Sequence, residues 1–239
     1  MKVLIMAAGI GSRISRHLNG KPKCCVKINQ LELISYTFAL LNKKGITDIA
    51  IVTGYAEQCI FDVIKEYQYQ SYTNNFFDIT NSIASAWFAK DFLDASDDLI
   101  IMNADVFIEE KIIDVLLAEK DSPLFLADSS RIEQADYKFN WKDNKLVQFG
   151  KQLSIKETTG EYVGIARINS NDIPFMKEKL NQMIKKQNHD FWWEDIFYQS
   201  LSEKEIFIHD IKGVFWAEVD YIEDYERIKS YLKSQINYG

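Results

Sequence analysis

The stretch that runs from the amino terminus to Lys23 constrains this chain more than any other. It opens with an apolar run, from Val3 to Ala8, that has the length and the branched residues of a buried strand in a parallel sheet, and the run ends at Gly9 and Gly11. Ligands of open α/β sheets bind at the carboxyl ends of strands, because glycines let the backbone approach closely and free amide groups can face phosphate oxygens. Arg13 and Lys23 add two positive charges. The pattern predicts a loop that binds a polyphosphate.

Two common glycine loops do not fit this stretch. A dinucleotide-binding fingerprint requires a third glycine at position 14, where the chain has Ile14. A Walker loop requires a lysine followed by Ser or Thr, whereas Lys21 is followed by Pro22. A tight turn between a strand and a helix, with two surface cations, is the structural alternative that these residues leave open.

Alternating strand and helix patterns predict a doubly wound parallel sheet. Helix patterns at residues 31–44 and 56–67 flank a second apolar run at residues 46–53, and a third apolar run follows at residues 98–102. From Pro123 onwards the sequence becomes β-rich, and Asp143-Asn144 has the composition of a hairpin turn. A chain of 239 residues with 47% hydrophobic content can bury the core of one such domain. We therefore expect a single α/β domain over residues 1–239.

The charge and the cysteine content limit which classes of partner and which cellular compartment we expect. The formal net charge is −7, and no block of Lys and Arg could follow a nucleic-acid backbone or an anionic membrane. We expect no nucleic-acid partner and no membrane association. The odd number of cysteines, three, argues against a disulfide framework, and the sequence has neither a signal segment nor a run of about 18 apolar residues. These features favour the cytoplasm.

A carboxylate follows the third apolar run. Residues 98–102 would carry Asn103 and Asp105 to the carboxyl edge of the sheet, where a metal ion beside a polyphosphate would lie. Asp105 could instead cap the helix predicted from Glu109, but it lies several residues too early for that role. We therefore expect Asp105 to hold a divalent metal ion.

Several motifs together resemble one enzyme family. The pattern G-x-G-x-R followed by Pro-Lys, here Gly9–Arg13 and Pro22-Lys23, resembles the signature of the nucleotidyltransferases that activate phosphorylated sugars and alcohols. Residues 161–165 and 218–220 resemble two further segments of that family, and the whole chain is most similar to its bacterial choline-phosphate cytidylyltransferase branch. The resemblance implies a Rossmann-like nucleotidyltransferase fold. It implies a nucleotide-binding part over residues 1–120, and an acceptor-binding part with a closing helix over residues 121–239.

The same resemblance implies a reaction and roles for particular residues. An NTP, here CTP, and a phosphorylated small molecule would form a nucleoside-diphosphate conjugate and pyrophosphate, with Mg²⁺ as the cofactor. The residues that it makes catalytic are Arg13, Lys23, Asp105 and Asp220, the last two being the metal ligands. The residues that it brings to the nucleotide are Ala7, Ala8, Gly9, Gly11, Ser12, Arg13, Lys23, Asn81, Ser85 and Asn103. For Asn81 and Ser85, helix capping is an equally open interpretation.

The acceptor side is expected to recognise a cation. The segment Phe191–Asp195, in a helix predicted from His189 to Leu201, combines aromatic rings with carboxylates, and Trp141 and Tyr162 are expected neighbours. Aromatic faces attract a cation through the ring quadrupole. Adjacent residues of a helix point about 100° apart, so at most one of the two tryptophans would face the ligand. The acceptor-binding candidates are Lys151, Glu161, Trp193, Glu194 and Asp195. We expect an acceptor with an amine or quaternary ammonium group, phosphocholine first.

Other interpretations stay open at this point. A sugar-1-phosphate nucleotidyltransferase that uses UTP, dTTP or GTP is the main alternative. A metal-dependent glycosyltransferase would require an Asp-x-Asp pair where this chain has Asn103-Ala104-Asp105. A non-catalytic nucleotide-binding domain would be expected to have lost a charged residue of the motifs, and none is lost. Lys151 could be a solvated surface lysine. The oligomeric state is open, with a homodimer among the options.

Overall fold

The computed structural model describes residues 1–11, 18 and 20–237, with the backbone alone for residues 236 and 237. The strands are β1 (Lys2–Ala7), β2 (Asp48–Thr53), β3 (Gln70–Thr73), β4 (Leu99–Asn103), β5 (Val106–Ile108), β6 (Leu124–Asp128), β7 (Lys138–Lys142), β8 (Lys145–Phe149), β9 (Gly160–Ile168), β10 (Phe207–Asp210) and β11 (Trp216–Glu218). The α-helices are α1 (Leu33–Lys43), α2 (Glu57–Ile64), α3 (Ser82–Phe88), α4 (Glu110–Ala118), α5 (Ile173–Lys185), α6 (Asp195–Tyr198) and α7 (Ile222–Asn237).

One large sheet organises the described part of the chain. Its nine strands lie in the order β3-β2-β1-β4-β9-β6-β10-β8-β7. β1 pairs in parallel with β2 and β4, and β2 pairs in parallel with β3. β9 is antiparallel to β4 and β6, β8 is antiparallel to β10 and β7, and β6 and β10 are parallel. All strands of this sheet except β8 and β9 therefore run in one direction.

Burial on both faces of β1 explains why helices cover the sheet twice. Leu4 and Met6 pack into one core together with residues of α3 and α5, whereas Val3 and Ile5 pack into a second core with residues of α1, α2 and α4. Successive side chains of a strand point to opposite faces, so an unbroken apolar strand needs cover on each side. The predicted doubly wound, mostly parallel sheet is confirmed.

The second half of the sheet closes on itself. β9 pairs with β7 at Lys138↔Glu161 as well as with β6, so the strands β9, β6, β10, β8 and β7 form a closed circuit of pairings. Phe125 and Phe139 are fully buried in the core on this side, and the Phe125 ring lies 5.8 Å from that of Trp193. The β-rich half is therefore a compact continuation of the same sheet.

A small second sheet lies at the carboxyl end of β4. β5 follows β4 after a turn, and it pairs in antiparallel fashion with β11 through Phe107↔Ala217 and Val106↔Glu218. The Val219 amide donates to the Asp105 carbonyl oxygen at 2.9 Å. This pairing joins the residues after β4 to the segment that precedes the last helix.

Several local predictions need correction. Residues 72–75 have the polar composition of a turn, but Tyr72 and Thr73 form the end of edge strand β3. The helix predicted from His189 to Leu201 is helical only at Asp195–Tyr198. Residues 214–219 have the composition of a strand, and within them Trp216–Glu218 forms β11, which pairs with β5 in the small sheet. The hairpin turn at Asp143-Asn144 is confirmed, since both residues have positive φ, 51° and 57°, between β7 and β8.

Among the described helices, none is both long enough and apolar enough to cross a lipid bilayer.

A buried ion pair at the amino end of β4 gives a test of the fold. Arg167 is 4% exposed, and its Nη2 atom donates to the Asp98 carboxylate at 2.7 Å, while the other Asp98 oxygen accepts from the Ser170 amide. Asp98→Ala leaves the guanidinium buried without its carboxylate, and we expect unfolding to become easier by about 3 kcal/mol.

Urea denaturation measures this loss, with Asp97→Ala as the control. Asp97 is 51% exposed, so its replacement should cost under about 1 kcal/mol. The ion pair lies at the amino end of β4, away from the carboxyl edge of the sheet. The Asp98→Ala variant should therefore keep the residues at that edge in place once it is folded. Equal stability of the two variants would show that the Arg167–Asp98 pair is not structural.

Candidate active site

The glycine loop and Lys23 fit each other at the carboxyl end of β1. Gly11 has a φ of +65°, which disfavours side chains, and a Cβ atom there would lie 2.6 Å from Cγ of Lys23. Lys23 begins a short 3-10 segment, Lys23–Cys25, directly after Pro22. This tight turn directs the lysine side chain across the loop, where it contacts the position of Gly11.

Lys23 bridges two carboxylates from distant parts of the chain. Its Nζ atom lies 3.2 Å from Oδ2 of Asp105 and also pairs with Oδ1 of Asp220. Burial by itself would lower the pKa of Lys23, but the charges of Asp105 and Asp220 outweigh it and raise that pKa above its ordinary value. Lys23 is therefore a fixed positive charge inside an acidic site.

A third carboxylate belongs to the same group. Glu218, at the end of β11, Asp105 and Asp220 each offer an oxygen, and these oxygens lie within 4.8 Å of one another. Burial and the charges of the two aspartates raise the pKa of Glu218 well above its ordinary value. Three converging carboxylates are hard oxygen ligands, and they fit a divalent cation such as Mg²⁺. The structure thus brings together the two predicted metal ligands and adds one.

A cleft of about 410 Å³ extends from this acidic group. The predicted nucleotide residues that line it are Ala7, Ala8, Gly9, Gly11, Lys23, Asn81, Ser85 and Asn103. The predicted acceptor residues that line it are Lys151, Glu161 and Glu194. Ser12 and Arg13 lie outside the described residues. The carboxyl ends of β1 and β4 therefore form one cleft with the start of β9, as a ligand site of an open α/β sheet should.

One wall of the cleft is the start of α3. The Asn81 side chain caps this helix by accepting from the Ser82 amide at 2.8 Å, which confirms the capping alternative while Asn81 also faces the cleft. Asn74 donates to the hydroxyls of Ser85, at 3.0 Å, and of Thr80, at 3.1 Å. This wall offers amide and hydroxyl groups and no side-chain charge.

The opposite end of the cleft is aromatic and acidic. Tyr137, Tyr162, Trp192 and Tyr198 line it beside the Glu194 carboxyl, which is 6% exposed. Burial raises the pKa of Glu194 to about 8, and the neighbouring charge of Asp195 acts in the same direction. At neutral pH this carboxyl is therefore mostly protonated.

Two predicted acceptor residues do not line the cleft. Trp193 is fully buried in the core, and Trp192 faces the cleft instead. Asp195 accepts a hydrogen bond from the Trp192 amide at 2.9 Å and so stabilises the turn into α6. The predicted helical periodicity was wrong here because residues 189–193 are not helical. They bind to the start of α3: the Asn81 amide donates to the His189 carbonyl oxygen at 2.8 Å, and the Trp193 amide donates to the Ser82 hydroxyl oxygen at 2.9 Å.

Glu161 and Lys151 are held by ion pairs along the cleft wall. One Glu161 oxygen accepts from Nε of Arg131 at 2.6 Å, and the other accepts from the Asp136 amide at 2.7 Å. Lys151 pairs with the Asp136 carboxylate at 2.8 Å. Glu161 therefore holds the segment between β6 and β7 in place, whereas Lys151 keeps its ammonium at the mouth of the cleft.

Some residues that line the cleft were not predicted from the sequence. Glu218 was predicted only as part of a family motif, although its alternation with Asp220 puts both residues on one side of an extended segment. Tyr137 and Tyr198 lie in segments of ordinary β and helical composition, and nothing in their spacing marks them. Their tertiary neighbours alone bring them to the cleft.

Comparisons with known proteins agree with this geometry. The sequence matches the family described as MobA-like NTP transferase domain over residues 3–135, and the chain belongs to that family of nucleotidyltransferases. It is 26% identical to CTP:phosphoglutamine cytidylyltransferase of Campylobacter jejuni, over 95% of this chain and 98% of that protein. It is 24% identical to choline-phosphate cytidylyltransferase of Streptococcus pneumoniae, over 98% and 100%. The fold is similar to the inositol-1-phosphate CTP transferase from T. maritima, with a TM-score of 0.79, 16% identity and coverage of 97% and 96%.

The raised pKa of Glu194 predicts a pH dependence of stability. The folded protein keeps the Glu194 proton up to about pH 8, whereas the unfolded chain releases it near the ordinary value of 4.5. The stabilising contribution of this proton is therefore complete below the ordinary pKa and is lost as the pH rises through about 8. Glu194→Gln cannot ionise. Its stability relative to the wild type should rise by more than about 1 kcal/mol, the value of one pKa unit, between about pH 5 and about pH 8.

Urea denaturation at a series of pH values measures this difference. Glu205→Gln is the control, because Glu205 is an exposed glutamate that pairs with Lys145 on the surface. Its curve should stay parallel to that of the wild type. A parallel curve for Glu194→Gln would show that Glu194 ionises normally in the folded protein.

Proposed function

We propose that this nucleotidyltransferase is a cytidylyltransferase: it transfers CMP from CTP to a small phosphorylated acceptor that bears an amine, and it releases pyrophosphate. The observation that carries the proposal is a single cleft with two unlike ends. One end has Lys23 among three carboxylates beside a glycine loop, and the other has aromatic rings around a buried carboxyl. The first end suits phosphate transfer, and the second suits an organic cation.

The reaction needs positioning and charge neutralisation more than covalent catalysis. An acceptor phosphate oxygen attacks the α-phosphorus of CTP in line, a P–O bond forms, and the bond to pyrophosphate breaks. Lys23, with its raised pKa, keeps a positive charge where the triphosphate would lie above the glycine loop. Arg13, from the same motif, is proposed to neutralise the departing pyrophosphate. Lys151, at the mouth of the cleft, is proposed to contact the acceptor phosphate.

Asp105, Glu218 and Asp220 are proposed to hold Mg²⁺. A divalent ion at these residues supplies charge neutralisation between the two reacting phosphates. Asp105 and Asp220 alone carry more negative charge than Lys23 can balance, which supports a further cation at this place. The overall charge of −7 makes this local reversal necessary for any polyanionic substrate.

We propose CTP as the nucleotide. Two observations support it: the activity named for the relatives, and the polar wall of the cleft at the start of α3. The relatives from Campylobacter jejuni and Streptococcus pneumoniae, which match nearly the full chain, are both cytidylyltransferases. Asn81 and Ser85 offer amide and hydroxyl groups, which can hydrogen-bond a base or a ribose. A sugar-1-phosphate nucleotidyltransferase is the second candidate, but the two relatives that match nearly the full chain are named for phosphoglutamine and choline phosphate, which favours an amine-bearing acceptor.

Two broader features are also proposed. Cys24, Cys25 and Cys59 are free thiols, and Cys24 and Cys25 are buried, which supports a reducing cytoplasm as the compartment. The division into a nucleotide part, residues 1–120, and an acceptor part, residues 121–239, is supported by the two ends of the cleft, although one sheet runs through both.

An NTP and acceptor matrix tests the proposed function. Pyrophosphate release is measured for CTP, UTP, GTP and ATP, each with phosphocholine, phosphoethanolamine, 2-aminoethylphosphonate, phosphorylated amino-acid amides and hexose 1-phosphates. We expect CTP with an amine-bearing acceptor to give the highest kcat/KM, because a pocket that pairs cytosine leaves buried groups unpaired with uracil. A preference for UTP or GTP with a hexose 1-phosphate would overturn the proposal.

The carboxylates are tested separately through metal binding. Asp220→Asn and Glu218→Gln should each weaken Mn²⁺ binding, followed by electron paramagnetic resonance, and lower kcat by about 100-fold or more. Asp114→Asn, at an exposed carboxylate that pairs with Lys44, is the control and should change neither quantity. Unchanged Mn²⁺ binding in both site variants would remove these residues from the metal site.

A further inference from the structure

The aromatic and acidic end of the cleft, opposite Lys23, contains a cluster of four titratable side chains that phosphate transfer does not use. Glu194, Tyr137, Tyr162 and Tyr198 all line the cleft there. Glu194, Tyr162 and Tyr198 are 6%, 7% and 4% exposed, so the cluster is built into the protein. Each tyrosine interacts electrostatically with the Glu194 carboxyl, and Asp195 is the further charge that faces it.

Two hydroxyls of this cluster have unused hydrogen-bonding capacity. Within the described residues, the buried hydroxyls of Tyr162 and Tyr198 make no hydrogen bond of ordinary geometry, although that of Tyr162 faces Glu194. A buried polar group without a partner costs about 1–3 kcal/mol. Because these hydroxyls are themselves closed to solvent, they point to a ligand that acts on them through the neighbouring Glu194 carboxyl.

The ring faces that a quaternary ammonium would use are partly covered. Tyr198 stacks on Phe149 at 4.4 Å and on Tyr137 at 5.8 Å, and Tyr162 stacks on Phe139 at 5.1 Å. A quaternary ammonium binds through open aromatic faces and has no N–H group to donate. Trp192 is the remaining aromatic side chain at this end; its ring lies 5.9 Å from the Lys151 ammonium and forms a T-shaped pair with Tyr137 at 5.3 Å. The three tyrosines therefore offer their oxygen atoms more than open ring faces.

We propose that Glu194, with Tyr162 and Tyr198 behind it, recognises a primary ammonium group on the phosphorylated acceptor and discriminates against a quaternary one. The inference rests on the proposed function and narrows its substrate class. A primary ammonium donates to the Glu194 carboxylate in a charge-assisted bond, while the two phenols donate to its remaining lone pairs. The methyl groups of a trimethylammonium group keep its charge farther from the Glu194 carboxylate, and the group has no N–H to donate. The buried carboxylate is then left with too few hydrogen-bond donors, which weakens binding.

Binding would be coupled to the loss of one proton. Glu194 is mostly neutral at pH 7 in the free protein because burial raises its pKa to about 8. An ammonium group beside the carboxyl favours its charged form, so the proton leaves to solvent as the acceptor binds. Tyr137, Tyr162 and Tyr198 have raised pKa values through burial and stay neutral, and Asp195 keeps its bond to the Trp192 amide.

An N-methylation series on one acceptor backbone tests the proposal. The kcat/KM with CTP is measured for phosphoethanolamine, its mono- and dimethyl derivatives and phosphocholine, and for 2-aminoethylphosphonate against its trimethyl analogue. Phosphorylated glutamine and its trimethylated form extend the series to a larger acceptor. We expect the value to fall along each series, by about tenfold or more between the primary and the quaternary amine. Equal or better use of the quaternary member would overturn the inference.

Variants link the preference to the cluster. Glu194→Gln, Tyr162→Phe and Tyr198→Phe should each raise KM for the primary amine and shrink its advantage over the quaternary one. Tyr67→Phe is the control. The Tyr67 hydroxyl donates to the Ser35 carbonyl oxygen of α1 and does not line the cleft, so this variant should leave the preference unchanged. If the three site variants keep the wild-type preference, Glu194 and the two tyrosine hydroxyls do not determine which ammonium group is bound.

Calorimetry in buffers of different ionisation enthalpy gives a second readout. Binding of phosphoethanolamine near pH 7 should release protons with the wild type and none with Glu194→Gln. Proton release that persists in Glu194→Gln would overturn the role of this residue.

The two proposals fail differently. Turnover of hexose 1-phosphates alone would overturn the proposed function itself. A preference for phosphocholine with CTP would leave the proposed function intact and overturn only the primary-ammonium inference.

Discussion

The ion pairs between Lys23 and the two aspartates are the contacts on which the rest of the structure depends. Lys23 and Asp220 are 197 residues apart in sequence, so the chain must fold almost end to end before they meet. The pairing of β5 with β11 holds Asp220 beside Asp105, and Gly11 leaves room for the lysine stem. Like charges this close would repel each other without the ammonium. The acidic site is therefore a product of the whole topology, assembled from both ends of the chain.

The local sequence pattern was enough to predict those parts of the fold that depend on a short run of residues, such as a buried strand or a tight turn. The unbroken apolar run of β1 required cover on both faces, and Asp143-Asn144 accepted the positive φ values of a tight hairpin. Asp105 was predictable because the end of a parallel strand defines where its side chain can go. The small sheet was not predictable, since β5 has only three residues and its partner lies about a hundred residues later.

The acceptor end of the cleft shows why the remaining site residues escaped prediction. Trp193 was the predicted acceptor residue on the assumption of a helix from His189. Residues 189–193 are not helical and bond instead to the start of α3, so Trp192 faces the cleft and Trp193 is buried. Tyr137 and Tyr198 reach the same place from segments about sixty residues apart, through ring stacking at 5.8 Å. Such contacts depend on tertiary packing between segments, which a single sequence does not encode in its periodicity.

Strand β9 fixes the geometry between the two ends of the cleft. Its first residues, Glu161 and Tyr162, border the acceptor end, and Ile165 pairs with Met102 of β4 next to the phosphate end. All nine residues of the strand are buried, and its second half pairs with β4 on one side and β6 on the other, so an insertion there would disrupt the sheet. Residues 129–137 and 189–194, which contribute Asp136, Tyr137, Trp192 and Glu194 to the proposed acceptor end of the cleft, lie outside this strand. They can change by insertion or substitution while the reacting phosphates keep their separation, so a lineage of such enzymes can acquire new acceptors without rebuilding its chemistry.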